Sequence, residues 1–332
     1  MDIADEISSR KLSQLTDVII KNNTYCSHYI IVQAYFPSTT VPESLFAALS
    51  CPPLSLLGVV CSSVFIPLWG PLHREPLCQR AAVSCIIISL TAQSLVMVGI
   101  STYCLLDLPL PEALDRLSAI TSLIEVVDEG PHFVQDASLF GSFSADFVLH
   151  APYHGMNIAC LFESIREASV KVMTDCFSVA AEIGAGVVMH PGYYAWEQER
   201  GQADRQFKKS LHELCKAARD LSLTFWFENM GDMHFFNLRT PGDLDLIEGC
   251  GFALDTGHAN LNHCLPGFLQ TGFSHMHIHD NNGRRDSHSP VGEGDIDFAP
   301  VLAALRRNHA TSVIEVKSFD GAVRSIRSLE EI

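Results

Sequence analysis

The sequence predicts an α/β fold, a (β/α)8 TIM barrel, in the part of the chain that begins at residue 96. Short apolar runs alternate there with amphipathic segments whose apolar spacing is close to 3.6 residues. There are eight such runs, and the roughly 235 residues that contain them match the usual length of this barrel. A doubly wound open sheet is the alternative, but no run is followed by the Gly-rich GxGxxG turn typical of that fold.

The predicted strands are the apolar runs bounded by turn residues. In chain order they are 96–102, 123–127, 147–150, 187–190, 224–228, 252–255, 275–279 and 313–316. Amphipathic spacing predicts helices over 111–120, 161–183 and 206–221. Thr240-Pro-Gly-Asp243 has the pattern of a helix start, with Thr as N-cap and Pro at the first helical position.

Residues 1–95 lack this alternation of apolar runs and amphipathic segments, and prolines interrupt any long element in them. An uncharged run from Ala81 to Leu106 is long enough for a transmembrane helix. Ser, Thr and Gln residues dilute it, however, and its end favours a buried strand, so we expect no membrane contact. We expect residues 1–95 to be an N-terminal extension that is either poorly ordered or an artefact of start-site choice, since Met97 lies where the first strand begins. Residues 96–332 are the predicted barrel domain.

Composition and charge limit the class of protein. Hydrophobic residues make up 47% and charged residues 18% of the chain, which indicates a globular protein. The formal net charge of −16 argues against a broad contact with nucleic acid or anionic lipid, although bound metal ions could still attract a phosphate. Eleven cysteines without a CxxC pair suggest reduced thiols and a cytoplasmic location. The oligomeric state is open, and a homo-oligomer is compatible with the sequence.

Residues 275–297 carry the strongest local signal for function. Three histidines of the predicted seventh strand (His275, His277 and His279) alternate with apolar residues and therefore share one face. A Gly-containing turn with Asp286 and His288 follows. Imidazole nitrogens beside carboxylate oxygens are ligands of divalent metals. The alternative is a surface loop that is merely rich in His and Asp.

The ends of the last six predicted strands carry metal-capable side chains. In a TIM barrel these carboxyl ends meet at one face. The residues are His150, His190, Glu228, Asp255 with nearby His258, His277 and Glu315. One such residue alone would most often be a structural hydrogen-bonding group. Six successive strand ends are difficult to obtain by chance, so the sequence predicts a divalent metal site at this face.

This ligand set suits two chemistries. Glu228, Asp255, His277 and Glu315 suffice for one ion (Zn, Mn, Mg or Co) that polarises a substrate carbonyl, while two glutamates move a proton between adjacent carbons. The remaining ligands would allow up to three ions, with Glu228 as a bridge, which suits the activation of water against a phosphodiester. Those remaining ligands are His150, His190, His258, Asp286 and His288.

These motifs resemble the xylose isomerase-like TIM barrel superfamily. It contains sugar and sugar-phosphate isomerases and epimerases, and the endonuclease IV-type AP endonucleases (AP endonuclease family 2). The resemblance covers residues 96–332, and all nine ligand positions of the trinuclear zinc site of the endonucleases have a counterpart. They are His150 of HxxY, His190 of HPG, Glu228 of EN, Asp255 and His258 of DTxH, His277 of HxND, Asp286 and His288 of DxH, and Glu315 of the last strand. In the isomerase branch the resemblance implies Glu228, Asp255, His277 and Glu315 as ligands, with the two glutamates as the catalytic acid/base pair.

The departures from the endonuclease pattern favour the isomerase branch. His279 replaces the Asn of HxND, the Lys that follows in the endonucleases is absent, the loop before Asp286 looks shorter, and Gly257 replaces the Cys of DTCH. We therefore predict a metal-dependent isomerase or epimerase of a sugar or sugar phosphate, acting by proton transfer α to a carbonyl held on the metal. The first alternative is a zinc-dependent endonuclease that cuts DNA 5′ to abasic sites. The second is a non-catalytic metal-binding barrel with a protein partner.

Five further residues are expected to contact the substrate: Tyr153, Asn229, His279, Arg285 and Lys317. Arg285 could hold a substrate phosphate. Lys317 lies two residues beyond Glu315 and should share its face of the strand. Solvated surface charges are the alternative for both. Glu293, within a Gly-Glu-Gly turn, is expected to orient a ligand histidine from behind.

Overall fold

The computed structural model describes residues 60–61, 64–65 and 98–332, and the chain divides into two units, Met1–Thr91 and Ala92–Ile332. In the first unit, Val60–Cys61 and Val64–Phe65 form a short antiparallel ladder. The remaining expectations for residues 1–95 lie outside the described residues. Within the described ranges, no helix is both long enough and apolar enough to cross a membrane.

Eight parallel strands close into a barrel in the second unit. They are β1 (Val98–Ser101), β2 (Leu123–Val127), β3 (Asp146–His150), β4 (Gly186–Met189), β5 (Phe225–Glu228), β6 (Gly251–Asp255), β7 (His275–Ile278) and β8 (Thr311–Ile314). Each strand pairs with its neighbours in sequence, and β8 pairs with β1, Val313 lying opposite Gly99. The closure confirms the predicted barrel and rules out the open sheet. Every predicted strand is present, within about two residues of its expected bounds.

Seven α-helices lie in the described part of this unit. They are α1 (Leu110–Ser118), α2 (Glu163–Ile183), α3 (Arg200–Asp220), α4 (Thr256–Leu261), α5 (Leu265–Phe268), α6 (Phe298–Asn308) and α7 (Phe319–Glu330). Short 3-10 helices cover Thr102–Leu105, Gly130–His132, Phe140–Ser142, Glu197–Glu199 and Pro241–Ile247. The first three α-helices correspond to the three amphipathic segments predicted from the sequence.

Two connections differ from a regular β-then-α unit. Between β2 and β3 only 3-10 turns occur, and Gly130, Pro131 and Gly141 explain this because these residue types disfavour a continuous helix. After β5 the predicted helix start is present, but it opens a 3-10 helix. There the Asp243 carboxylate accepts the backbone N–H of Thr240 at 2.9 Å. This contact gives an acceptor to a backbone N–H at the helix start that has none within the helix.

The barrel interior is layered, and the layers determine where the metal-capable residues lie. One layer is an apolar plug of Leu123, Val148, Val188, Trp226, Ala253 and Val313. Trp226 is the largest member, and a Cβ on Gly186 or Gly251 of the adjacent strands would overlap its indole. Because side chains of a strand alternate, the residues two positions further along point into the same interior, one layer closer to the carboxyl end. That layer holds Glu125, His150, His190, Glu228, Asp255 and Glu315.

Candidate metal centre

All nine predicted metal ligands come together at the carboxyl end of the barrel. They fall into overlapping groups in which one ligand atom per residue lies within 4.8 Å of the others. Four groups contain at least two of these ligands: His150–His190–Glu228, Glu228–Asp255–His258, Asp255–His277–Glu315 and His258–His279–Asp286–His288. A fifth group, Glu125–His275–His277, shares only His277 with them. Shared members join neighbouring groups, so the ligands form one continuous cluster that we call the metal centre.

The middle of the metal centre is the Nδ1 nitrogen of His277. It lies 3.5 Å from Glu228 Oε2, 3.5 Å from Glu315 Oε2 and 3.8 Å from Asp255 Oδ2. This nitrogen is buried and has no hydrogen-bond partner among the described residues. An unpartnered buried nitrogen facing three carboxylates would be costly by itself. A divalent cation would satisfy all four groups, so the residues present fit a metal ion.

Glu228 connects this middle group to a second one. Its Oε2 lies 3.3 Å from His150 Nε2 and 3.5 Å from His190 Nε2, in addition to its approach to His277. Burial alone would raise the pKa of this carboxyl, but His277, His150, His190 and His258 outweigh burial and hold the pKa well below its usual range. The carboxylate is therefore ionised and enclosed by nitrogens, as expected of a ligand shared by two ions.

The third group lies at the mouth of the centre. Asp286 Oδ2 is 3.3 Å from His258 Nε2 and 3.3 Å from His288 Nε2, and the Asp286 side chain is 39% exposed. Burial alone would lower the pKa of His288, but Asp286 and Glu315 raise it to about 9. Asp286 Oδ2 and the Nε2 atoms of His258 and His288 thus form a compact group of metal-capable atoms at the mouth.

Backbone carbonyls orient three of the ligand histidines. The Nδ1 atoms of His150 and His288 lie 3.0 Å from the carbonyl oxygens of Ala151 and Glu315, and His258 Nδ1 lies 2.9 Å from that of Asn229. A carbonyl can only accept, so Nδ1 carries the proton and Nε2 presents its lone pair to the centre. Such outer partners are usual for metal-binding histidines.

His279 has a different role from the substrate contact expected of it. It is fully buried, and its Nε2 lies 3.0 Å from Asp255 Oδ1, so it holds a ligand carboxylate. Its ring stacks on that of His288 at 4.0 Å. A Cβ on residue 257 would overlap the His279 ring, which explains why Gly257 and His279 occur together.

Asn229 is also occupied by the protein itself. Its amide nitrogen donates to the carbonyl of Asp255 at 3.0 Å, and its amide oxygen accepts the N–H of Asp255 at 2.8 Å. Both polar ends of the buried side chain are engaged in this way. Asn229 therefore positions Asp255, and the expected substrate contact is corrected accordingly.

The other three expected substrate residues lie around the metal centre. The Tyr153 ring is 5.3 Å from the His150 ring and 4.9 Å from the His190 ring, centroid to centroid. Arg285 and Lys317 are exposed and form no ion pair with the described residues. Lys317 lines a cleft of about 470 Å³ together with Tyr103, whose ring lies 4.9 Å from the His288 ring. These positions leave all three as candidate substrate contacts.

Sequence reasoning missed a buried carboxylate that contacts the metal centre. Glu125 of β2 is fully buried, and its Oε2 lies 3.1 Å from the Nε2 atoms of both His275 and His277. The signal was available, because a glutamate in the middle of an apolar strand needs a buried partner. It was overlooked because the run was interpreted only as a strand.

The Gly-Glu-Gly turn does not place Glu293 against a ligand histidine. Glu293 points outward and accepts from Arg324 at 2.8 Å, so the prediction that it orients a ligand histidine is wrong. The buried carboxylate of Asp280 instead accepts the backbone N–H groups of Gly292 at 3.0 Å and Gly294 at 2.9 Å. Asp280 lies two residues after the end of β7 and thereby ties the turn to the strand that carries His277.

Comparisons with known proteins agree with the architecture. Residues 138–332 match the family model described as xylose isomerase-like TIM barrel. An uncharacterized protein of Methanocaldococcus jannaschii is 32% identical over 247 residues, which cover 70% of this chain and 98% of the relative. A probable endonuclease 4 of Mycobacterium ulcerans is 28% identical over 200 residues, covering 56% of this chain and 79% of the relative.

A solved structure matches the same part of the molecule. The crystal structure of a D-tagatose 3-epimerase-like protein superposes with a TM-score of 0.65 and 28% sequence identity. The match covers 71% of this chain and 96% of the other. Proteins named for two different activities are therefore similar to this chain at nearly equal identity, and the choice between them depends on the metal centre.

Proposed function

This chain belongs to the xylose isomerase-like TIM barrel family, and from this premise we propose that it is a metal-dependent hydrolase of phosphodiester bonds, similar to endonuclease 4. The position of Glu228 Oε2 carries the proposal. Nε2 of His150, Nε2 of His190 and Nδ1 of His277 all lie 3.3 to 3.5 Å from this oxygen. A carboxylate in this position suits a bridge between two ions, whereas a single-ion isomerase needs Glu228 only as an ordinary ligand and needs no bridge.

The proposed roles of the ligands follow from their contacts. His150 and His190 would share one ion with Glu228, while Asp255, His277 and Glu315 would hold a second, also bound by Glu228. Three residues at the mouth would hold a third: His258, Asp286 and His288. Imidazole-rich ligand sets favour zinc.

Electrostatics also favours hydrolysis over proton shuttling by Glu228. A general base works best when its pKa is near the operating pH, whereas the pKa of Glu228 is held well below its usual range. Divalent ions, when bound, supply positive charge for a substrate phosphate and lower the pKa of water. Asp286, the most exposed of the ligands at the mouth, lies where a phosphate could enter.

Metal content tests this proposal most directly. We expect protein purified without added metal to retain two or three zinc ions per chain, measured by inductively coupled plasma mass spectrometry. The protein should nick a DNA duplex that contains one abasic site, and a chelator should abolish the nicking. A single exchangeable ion per chain, together with no nicking, would overturn the proposal.

A metal-dependent sugar or sugar-phosphate isomerase or epimerase remains the second candidate. It is favoured by the match to the D-tagatose 3-epimerase-like protein. It is also favoured by the group of four ligands that His277 forms with Glu228, Asp255 and Glu315, which suffices for one ion. Glu228 and Glu315 would then form the catalytic acid/base pair. The test is solvent deuterium incorporation into ketose substrates, which Glu228→Gln should abolish. A purified protein that binds metal but neither nicks DNA nor exchanges protons would indicate a non-catalytic barrel.

A further inference from the structure

A buried carboxylate, Glu125, contacts the metal centre through His277. Glu125, His275 and His277 are all fully enclosed in the barrel interior. The Nε2 of His277 is 3.1 Å from both oxygens of Glu125, and the Nε2 of His275 is 3.1 Å from Oε2. The opposite nitrogen of His275 meets the Thr311 hydroxyl at 2.7 Å.

We propose that Glu125 is a positioning residue that sets which nitrogen of His277 binds metal. The inference rests on the metal centre of the proposed function. An ionised carboxylate only accepts hydrogen bonds, so the Nε2 atoms of both His275 and His277 must donate to it. A neutral imidazole has one N–H, so Nδ1 of His277 is left as a lone pair facing the carboxylates of Glu228 and Glu315.

The hydrogen bonds beyond Glu125 agree with this assignment. Because Nε2 of His275 donates to Glu125, its Nδ1 is free to accept the hydroxyl proton of Thr311. Every donor along Thr311, His275, Glu125 and His277 then meets an acceptor. A metal ion placed among Glu125, His275 and His277 would break this pattern of hydrogen bonds, and all three side chains are fully buried.

His277 differs from the other ligand histidines in which ring nitrogen it presents to the metal. His150 and His288 donate Nδ1–H to neutral backbone carbonyls and present Nε2, while Nδ1 of His258 lies 2.9 Å from both the Asn229 carbonyl and the Glu228 carboxylate. His277 alone among these four presents Nδ1, because a charged carboxylate holds its Nε2. A negative partner increases the basicity of the opposite nitrogen, so the bond between His277 and its ion is strengthened. The ion shared by Asp255, Glu228 and Glu315 should therefore be the one most sensitive to Glu125.

Metal affinity of the full-length Glu125→Gln variant tests the assignment. We expect the affinity for the ion bound by His277, measured by competition with a zinc chelator, to fall about 10- to 100-fold. The visible absorption bands of cobalt-loaded protein should shift as well. Thr311→Val is the matched control, because it removes the far end of the chain of hydrogen bonds while leaving His277 held. It should change the affinity by less than about threefold, a small fraction of the effect expected at Glu125.

Two results would overturn the proposal. One is wild-type affinity and an unchanged cobalt spectrum in Glu125→Gln, and the other is an equal loss in both variants, which would indicate general damage to packing. If the wild-type protein binds no divalent ion, the proposed function fails instead, so the two failures are distinct.

A measurement on the wild-type protein does not depend on how the variants fold. Nitrogen-15 spectra of histidine-labelled protein loaded with cadmium-113 should show coupling of the metal to Nδ1 of His277 and a proton on Nε2. In metal-free protein at a pH where His277 is neutral, Nε2 of His277 should again carry the proton. Coupling through Nε2, or a proton on Nδ1, would overturn the role assigned to Glu125.

Discussion

Single residues at the metal centre depend on one another for space as well as for charge. His279 fills the volume next to Gly257 and contacts Asp255 at 3.0 Å. Two departures from the endonuclease pattern, Gly for Cys at 257 and His for Asn at 279, are thus one steric change. The imidazole of His279 fits only because residue 257 has no Cβ, and it supports the carboxylate of Asp255.

Gly257→Ala should therefore destabilise the protein by about 1–3 kcal/mol, because the new methyl group overlaps the His279 ring. Urea unfolding measures this free energy. His279→Asn should relieve most of the additional cost in a double-mutant cycle, since the smaller side chain leaves room. An identical cost of Gly257→Ala in both backgrounds would show that the two positions are independent.

The charge on His288 should make the free energy of unfolding of the metal-free protein depend on pH. Its pKa is raised to about 9 by Asp286 and Glu315 against the opposing effect of burial. A raised pKa stabilises the fold below the unfolded-state pKa of about 6.5, and this contribution is lost as the pH rises through about 9. The free energy of unfolding of wild-type protein in chelator should thus exceed that of His288→Gln by roughly 2 kcal/mol at pH 6, and by much less at pH 9.5. A difference that grew with pH would contradict the assignment.

At the scale of elements, strand alternation builds the site and a buried aspartate shapes its rim. Five of the ligands stand two residues beyond a member of the apolar plug on the same strand, so the packed interior supports them from below. Asp280 then collects the N–H groups of Gly292 and Gly294 with one carboxylate oxygen and that of Ile296 with the other. The loop that carries Asp286 and His288 is thereby tied to β7.

Asp280→Asn should loosen this loop, because an amide nitrogen cannot accept the N–H groups that the carboxylate oxygens receive. We expect a loss of about 1–3 kcal/mol in stability and faster hydrogen exchange of residues 286–296. Glu293→Gln is the control on the same loop. Its exposed pairing with Arg324 should contribute less than about 1 kcal/mol. Equal effects of the two substitutions would argue against the special role of Asp280.

For the whole molecule, metal binding and folding should be coupled. The centre gathers carboxylates and imidazoles from six of the eight strands and their loops, and bound ions would offset their mutual repulsion and burial. Carboxylates raise the pKa of His258 and His277 well above the usual range although burial opposes this. Protons therefore compete with metal for these nitrogens as the pH falls.

Chelation should accordingly lower the unfolding temperature, and the decrease should be larger at pH 8 than at pH 6. Protonated histidines bind no metal, so less stabilisation is present at pH 6 for a chelator to remove. Differential scanning calorimetry with and without chelator at both pH values measures this. A decrease that is equal at the two values would mean that the ions do not compete with protons at His258 and His277.

The sequence by itself determined the barrel and predicted that nine metal-capable residues meet at one of its faces. Both depend on local pattern: apolar runs with period two, helical spacing between them, and polar side chains at strand ends, which a barrel brings to one face. The family, which the comparisons bear out, was also accessible from short motifs such as those around His190 and Asp255.

Only the tertiary structure decided how these residues divide their tasks. The atoms of each group come from strands far apart in sequence, as His150 and Glu228 do, so their distances depend on strand stagger and loop path. For the same reason Glu125 could not be assigned to His277, or His279 to Asp255, from sequence alone. A local pattern shows which face a side chain occupies, while its partner across the barrel is set by closure of the sheet.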